Sequence, residues 1–267
     1  MRIAQIVLPG ATAFERKLQR IDRAALSASH DVTVVSLDEL AQSGAAIAHV
    51  YASGELPPAA FTRISIPYVA TAPLPQSKWS LRRPVAPRAV LSPLGGDPVP
   101  EAVEDFWFES RRVPVARDVK IVGSFARDGI RSMIDKTLHR IGRFRSDVTW
   151  HLYEKDPTPD DLAGVDAWVD PTTSESDFSG FVAEAQVFGL PVIASRTAIN
   201  ARRLENGRTG MLVPAGDANE MTHAILAALF KVEVAESRQL AAKQTASKYR
   251  ARQRLRILTR VYEQHTS

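Results

Sequence analysis

The chemically densest stretch of the chain is 171–217, PTTSESDFSGFVAEAQVFGLPVIASRTAINARRLENGRTGMLVPAGD. A strand ends at Asp170 and Pro171, a Ser/Thr-rich loop follows, and a helix opens near Ser179, Gly180 and Phe181 with Glu184 in its first turns. Loop amides and the positive end of a helix make an anion site, and a residue without a side chain, Gly180, lets a phosphate come up to the backbone. On that reading Glu184 accepts hydrogen bonds from sugar hydroxyls in the same pocket. The same residues also read as ordinary helix chemistry, a Ser or Asp cap with Glu184 complementing the dipole. His49, at the end of an apolar run, is a second candidate polar group. His30, His139, His151, His223 and His265 are scattered without metal-ligand spacing, so no metal site is expected.

Composition narrows the class of molecule. The 267 residues carry 34 Lys plus Arg against 30 Asp plus Glu, a net charge of +4, with 45% hydrophobic and 24% charged residues, ordinary for a globular protein with a real core. Cysteine is absent, which excludes disulfides, thiolate nucleophiles and Cys-ligated metal sites. No apolar run approaches the ~18 residues of a membrane span. Residues 1–13 are shorter than a signal peptide of ~15–30 residues. A cytoplasmic location is therefore expected. The mild basic excess is spread along the chain, and no nucleic-acid partner is expected.

The elements that must position these residues alternate. Apolar runs at 2–9, 31–37, 45–51 and 64–72 read as strands, and 14–28 carries Phe14, Leu18, Ile21, Ala24 and Ala25 at helical spacing. Apolar rather than alternating strands argue for a parallel sheet covered on both faces. Residues 73–114 are proline-dense and read as a crossing. A second alternation follows, with strands at 120–125, 148–153, 167–170, 191–195 and 210–214. Helices are expected at 129–144, 159–163, 181–188, 219–230 and 234–262. The expected fold class is α/β, two Rossmann-like parallel-sheet domains facing a cleft. The expected boundaries are 1–115 for a first domain with the crossing, 116–245 for a second domain, and 246–267 for a C-terminal helix. Trp79, Trp107, Trp150 and Trp168 are expected in core or crossing packing. No G-x-G-x-x-G follows the first strand, only Pro9, Gly10, Ala11 and Thr12, which argues against a dinucleotide-binding dehydrogenase.

EAQVFGLPVIAS followed by NGRTGMLVPAGD resembles the signature of the retaining, GT-B-fold glycosyltransferases of family 4, the "group 1" glycosyltransferases. The matching positions are Glu184, Ala185, Gly189, Pro191, Val192, Ala194, Ser195, Gly207, Gly210, Leu212 and Val213. The resemblance extends to 120–125, like the first strand of the family's second domain, to Ala48, His49, Val50 and Tyr51, like its H-V-H strand end, and to 93–97, PLGGD, where the family has P-N-G-x-D. It implies a glycosyltransferase moving a hexose-type sugar from a nucleotide-diphosphate donor to an unidentified acceptor with retention, without cofactor or metal. By the same resemblance 1–115 is a shortened acceptor-side domain, 116–245 the nucleotide-sugar-binding domain, and 246–267 a helix packing back on the first domain.

By that resemblance Glu184 matches the glutamate that binds the ribose. The amides of Gly180, Phe181 and Val182 match groups that contact phosphate or sugar, and Arg127 is the nearest cation to neutralise the diphosphate, a charge that builds as it departs. Eight positions before Glu184, where the family has its first glutamate, stands Ser176, with Glu175 beside it as the donor-site carboxylate. Glu175 and His49 are the expected catalytic groups, His49 on the acceptor side, and Gly10, Ala11 and Thr12 the expected N-terminal loop at the cleft. The chain departs from the pattern at Ser124 for an arginine, Tyr51 for a histidine, Ala198 and Ile199 for a Gly-Gly pair, and Arg202 for an acid. These departures favour an alternative, a degenerate relative that binds a nucleotide, a sugar or a protein partner without turnover. The basic segment 248–260, KYRARQRLRILTR, reads as an amphipathic helix, either with a solvated face or in peripheral contact with an anionic membrane.

Overall fold

The structure, a computed structural model, describes residues 1–52, 63–71, 88–92, 97–113, 115, 117–127, 129–175 and 181–266. The chain divides into two compact units. One comprises Met1–Glu104 with Lys248–Ser267, the other Asp105–Ser247. Residues 105–115, expected with the first domain, thus belong to the second.

The first unit holds a six-stranded, all-parallel sheet: β1 (Arg2–Val7), β2 (Asp31–Val34), β3 (Ile47–Tyr51), β4 (Tyr68–Thr71), β5 (Ala89–Ser92) and β6 (Asp97–Pro98), in the order β2-β1-β3-β4-β5-β6. Successive side chains of a strand point to opposite faces, and here both faces are dry. Ala4, Ile6, Ala48, Val50, Tyr68 and Ala70 join one core, while Ile3, Ile47 and Val69 join the other. The second core is covered by α1 (Ala13–Leu26) through Leu26 and by the C-terminal helix through Leu258, Val261 and Tyr262. The proline-dense stretch therefore does not act as a plain crossing. It carries β5 and β6, because the short apolar run 89–92 completes the sheet, and Val99, Ala102 and Val103 are buried behind it.

The second unit begins with the short helix α2 (Asp105–Glu109). It holds a five-stranded parallel sheet, β7 (Lys120–Phe125), β8 (Val148–Tyr153), β9 (Ala167–Asp170), β10 (Val192–Ser195) and β11 (Met211–Val213), in the order β11-β10-β9-β7-β8. Its helices are α3 (Arg131–Ile141), α4 (Pro159–Leu162), α5 (Val182–Phe188), α6 (Ala198–Arg203), α7 (Ala218–Phe230) and α8 (Val232–Thr245). The core joins Val122, Val169, Ile193 and Val213 of the sheet to Ile141 of α3 and to Met221, Ile225 and Leu229 of α7. Gly189 ends α5 at φ +90°, a left-handed C-cap that glycine adopts without penalty, with the Lys243 side chain packed where a Cβ would stand.

The expected helical stretch 234–262 is broken beside the expected boundary at 245/246. α8 ends at Thr245, a 3₁₀ turn covers Ala246–Tyr249, and α9 (Ala251–Thr266) belongs to the first unit. The break lies where the chain returns to the first unit, pinned by the Val103 N–H donating to the Tyr249 carbonyl at 2.9 Å. Among the described residues, no helix is long and apolar enough to cross a membrane.

Candidate functional site

Parallel sheets present loops and ligand-binding groups at the carboxyl ends of their strands, and in the second unit the ends of β7, β9 and β10 hold the candidate residues. Arg127 stands two residues beyond β7, with its guanidinium over the Phe125 ring at 5.4 Å. Phe125 packs edge-on against Phe181 at 5.6 Å, so the end of β7 and the start of α5 share one wall. Phe181 also meets Trp107 at 5.2 Å and Trp168 at 5.4 Å. Trp107 and Trp168 are buried core residues, as expected of them. Ser124, at the position of the family's arginine, is buried and accepts a hydrogen bond from the Trp150 indole at 2.7 Å. It belongs to packing, which leaves Arg127 as the cation at this strand end.

Phe181 has φ +55°, the one non-glycine residue with a positive φ among the described residues. A phenylalanine in the left-handed region costs about 1–3 kcal/mol and persists only where surrounding contacts hold it. The aromatic socket does so. It sets the direction in which the chain enters α5 and thereby places Val182 and Glu184, buried at 0% and 1% exposure. Ser176 and Gly180 lie outside the described residues.

At the end of β9, Asp170 accepts from the Thr172 N–H at 3.3 Å and from the Asn200 side-chain amide at 3.0 Å. Asn200 belongs to α6, a helix the sequence reading missed. Its signal was Thr197, whose side chain accepts from the Asn200 N–H as an N-cap. Glu175, expected as the donor-site carboxylate, is exposed and accepts from the Ala198 N–H at 2.5 Å. It is occupied at the start of α6, because the loop after β9 runs beside the first turn of that helix.

The first unit corrects the other catalytic assignment. His49 does not face an acceptor: it is 0% exposed. Its Nδ1 meets the Tyr262 hydroxyl at 2.5 Å, its Nε2 meets Thr71 Oγ1 at 2.7 Å, and its ring stacks on Tyr51 at 4.1 Å. Burial, with the charge of Arg254, holds its pKa well below 6.5, so the imidazole is neutral. The hydroxyls of Tyr51 and Tyr262 are pushed well above 10 by burial and by the nearby Asp22 carboxylate. Thr12 starts α1, with its N–H donating to Glu15 at 2.7 Å and its hydroxyl to the same carboxylate oxygen. Ala11 is buried, and Gly10 turns the chain at φ +87°. Gly10, Ala11 and Thr12 thus form the β1–α1 turn of the first unit.

With this geometry in place, the comparisons bear on the second unit. Residues 103–230 match the family model of group 1 glycosyl transferases. That group 1 match contains Trp107, Phe125, Arg127, Phe181, Val182 and Glu184, and leaves out His49 and the Gly10–Thr12 turn. A comparison with the curated proteins gives no match. Solved structures share the fold over essentially the whole chain. HepE of Anabaena, in complex with UDP and glucose, is 15% identical with a TM-score of 0.73, covering 99% of this chain and 100% of its own. A glycosyltransferase from Rickettsia africae is 13% identical with a TM-score of 0.72 over 98% of each chain. Sucrose-phosphate synthase from Thermosynechococcus elongatus is 13% identical with a TM-score of 0.67 over 99% of each. The likeness is one of fold, the two Rossmann-like units of the GT-B glycosyltransferases.

Proposed function

We propose that this protein is a glycosyltransferase that moves a sugar, of hexose type, from a nucleotide-diphosphate donor to an acceptor with retention. The observation that carries the reading is the group 1 match over 103–230, because it contains the residues that the aromatic wall gathers at the ends of β7 and β9. In this reading Glu184 receives the ribose hydroxyls and the amides of Phe181 and Val182 face the donor's phosphate or sugar. Arg127 neutralises the charge that grows on the departing diphosphate, where a fixed cation lowers the barrier without reorganising. The UDP and glucose bound by HepE make uridine donors the first series to try.

A second reading, nucleotide binding without turnover, is favoured by His49 and Glu175, whose polar atoms serve the core and a helix start. Release of nucleoside diphosphate from a panel of nucleotide sugars, with water or added sugars as acceptor, separates the two. Turnover that falls in Arg127→Ala supports transfer. Nucleotide binding with no release from any donor supports the second reading.

A further inference from the structure

The loop that leaves β9 is pinned to α6 at two points. The inner pin is buried: the Asn200 side-chain amide donates to Asp170 at 3.0 Å and to the Ser195 carbonyl at 3.2 Å. That leaves the second Asp170 oxygen to accept from the Thr172 N–H at 3.3 Å, and the Thr172 hydroxyl accepts from the Ser174 N–H at 3.2 Å. The outer pin is exposed, the Glu175 carboxylate accepting from the N–H of Ala198, the first residue of α6. Bonds therefore run from Asn200 through Asp170 and Thr172 to Ser174, and Glu175 closes the ring back onto α6. Thr197 completes that end of α6, its N–H donating to the Ser195 carbonyl at 2.9 Å and its hydroxyl accepting from the Asn200 N–H at 3.3 Å.

Packing alone does not account for the inner pin. Asp170 is buried and has no ion pair among the described residues. Asn200 Oδ1 and Ser195 Oγ, in residues at 0% exposure, find no hydrogen-bond partner among them. Buried polar atoms left unmet cost stability, and apolar side chains filling the same space would be more stable. What polar groups supply instead is direction. A hydrogen bond weakens steeply as it bends, so it fixes the angle of the loop where an apolar contact would let it slide. That angle bears on the site because β9 lies between β7 and β10 in the sheet. On one side the rings of Phe125, Trp107 and Trp168 hold Phe181, and with it Glu184. On the β10 side the two pins hold 171–175.

Given the donor site proposed above, on which this rests, we infer that Asn200 and Glu175 are positioning residues. Through them α6 sets where the loop 171–175 meets the donor's sugar, while the aromatic socket sets the ribose end. Both act through the loop rather than by touching the donor.

The test is hydrogen exchange of the full chain, alone and saturated with UDP or with UDP-glucose. In the parent, UDP slows exchange over 181–188, and UDP-glucose in addition slows it over 172–175 at least about tenfold. Glu175→Ala and Asn200→Ala lose that added protection and keep the protection of 181–188 by UDP, which a loss of fold would remove. Glu175→Gln, which still accepts a hydrogen bond, behaves like the parent. Glu175 is exposed, so its variants report even where Asn200→Ala destabilises the unit. Equal protection of 172–175 by UDP and UDP-glucose in the parent overturns the inference, as does added protection that survives in Glu175→Ala or in a folded Asn200→Ala. A parent indifferent to both ligands overturns the donor reading itself.

Discussion

At the residue scale, Phe181 and His49 show how one pattern of letters serves opposite ends. Phe181 holds a left-handed backbone because three aromatic rings close around it, and so fixes where Glu184 stands. Arg127 lies on the neighbouring ring of that wall. Replacing Arg127 with Ala is expected to weaken donor binding or turnover at least about tenfold, the loss of one charge-assisted contact. Unchanged kinetics would remove it from the site. His49 is legible in sequence only as a polar residue at a strand end. A strand-end histidine facing a ligand and one facing a helix look the same there, and the partner that decides, Tyr262, is 213 positions away. Its consequence is a pH dependence. The folded state holds His49 neutral while the unfolded chain takes up a proton near pH 6.5, so below that pH the unfolded state binds more protons and stability falls as pH drops. The loss from this group is at most about 2 kcal/mol between pH 7 and pH 5. Denaturant titrations at the two pH values are expected to show it in the parent and a smaller loss in His49→Gln. An equal loss in both would assign it to other groups.

At the scale of elements, the C-terminal helix depends on charge buried in the first unit. Arg254 and Asp22 have side chains only 2% exposed. Burial opposes the Arg254 charge, but Asp22 outweighs it and raises the pKa. The Tyr51 hydroxyl donates to the same carboxylate at 2.8 Å, and Arg254 also donates to the Pro100 carbonyl at 3.1 Å. Removing one partner strands the other in a dry site, at about 3–5 kcal/mol. Arg254→Met is therefore expected to lower stability by that order in urea unfolding and to expose α9 to protease. Adding Asp22→Asn should recover part of the loss, since the stranded charge goes with it. Additive losses would mean the two do not act as a pair. The strands of the second unit, and its helices other than α2 and α6, were legible because apolar runs and helical spacing survive in sequence. β5 and β6 were not, because proline density outweighed a four-residue apolar run. The 3₁₀ turn between α8 and α9 was not either, since both halves keep helix-forming residues, although the expected boundary at 245/246 falls beside it. The polar network of Asp22, Tyr51, His49, Arg254 and Tyr262 was invisible, because nothing in α1 or α9 taken alone marks these residues as buried.

At the scale of the whole molecule, two parallel α/β sheets and a last helix that belongs to the first unit account for the architecture. The proposed function rests on the ends of β7 and β9 in the second. The motif 184–213 made that unit readable as a donor domain, whereas the first unit's letters gave no acceptor. The account stands or falls on whether the second unit holds a nucleotide. The most direct measurement is thermal stability of the full chain against UDP, GDP, ADP, dTDP and CMP and their sugars. A ligand at ~100 times its Kd stabilises by about 2.7 kcal/mol, which raises Tm by a few degrees for a chain of this size. The account predicts such a rise with one nucleotide series, the uridine series first, and its loss in Arg127→Ala. No rise with any of them would contradict it and leave the motif-matching run 184–213 as architecture alone.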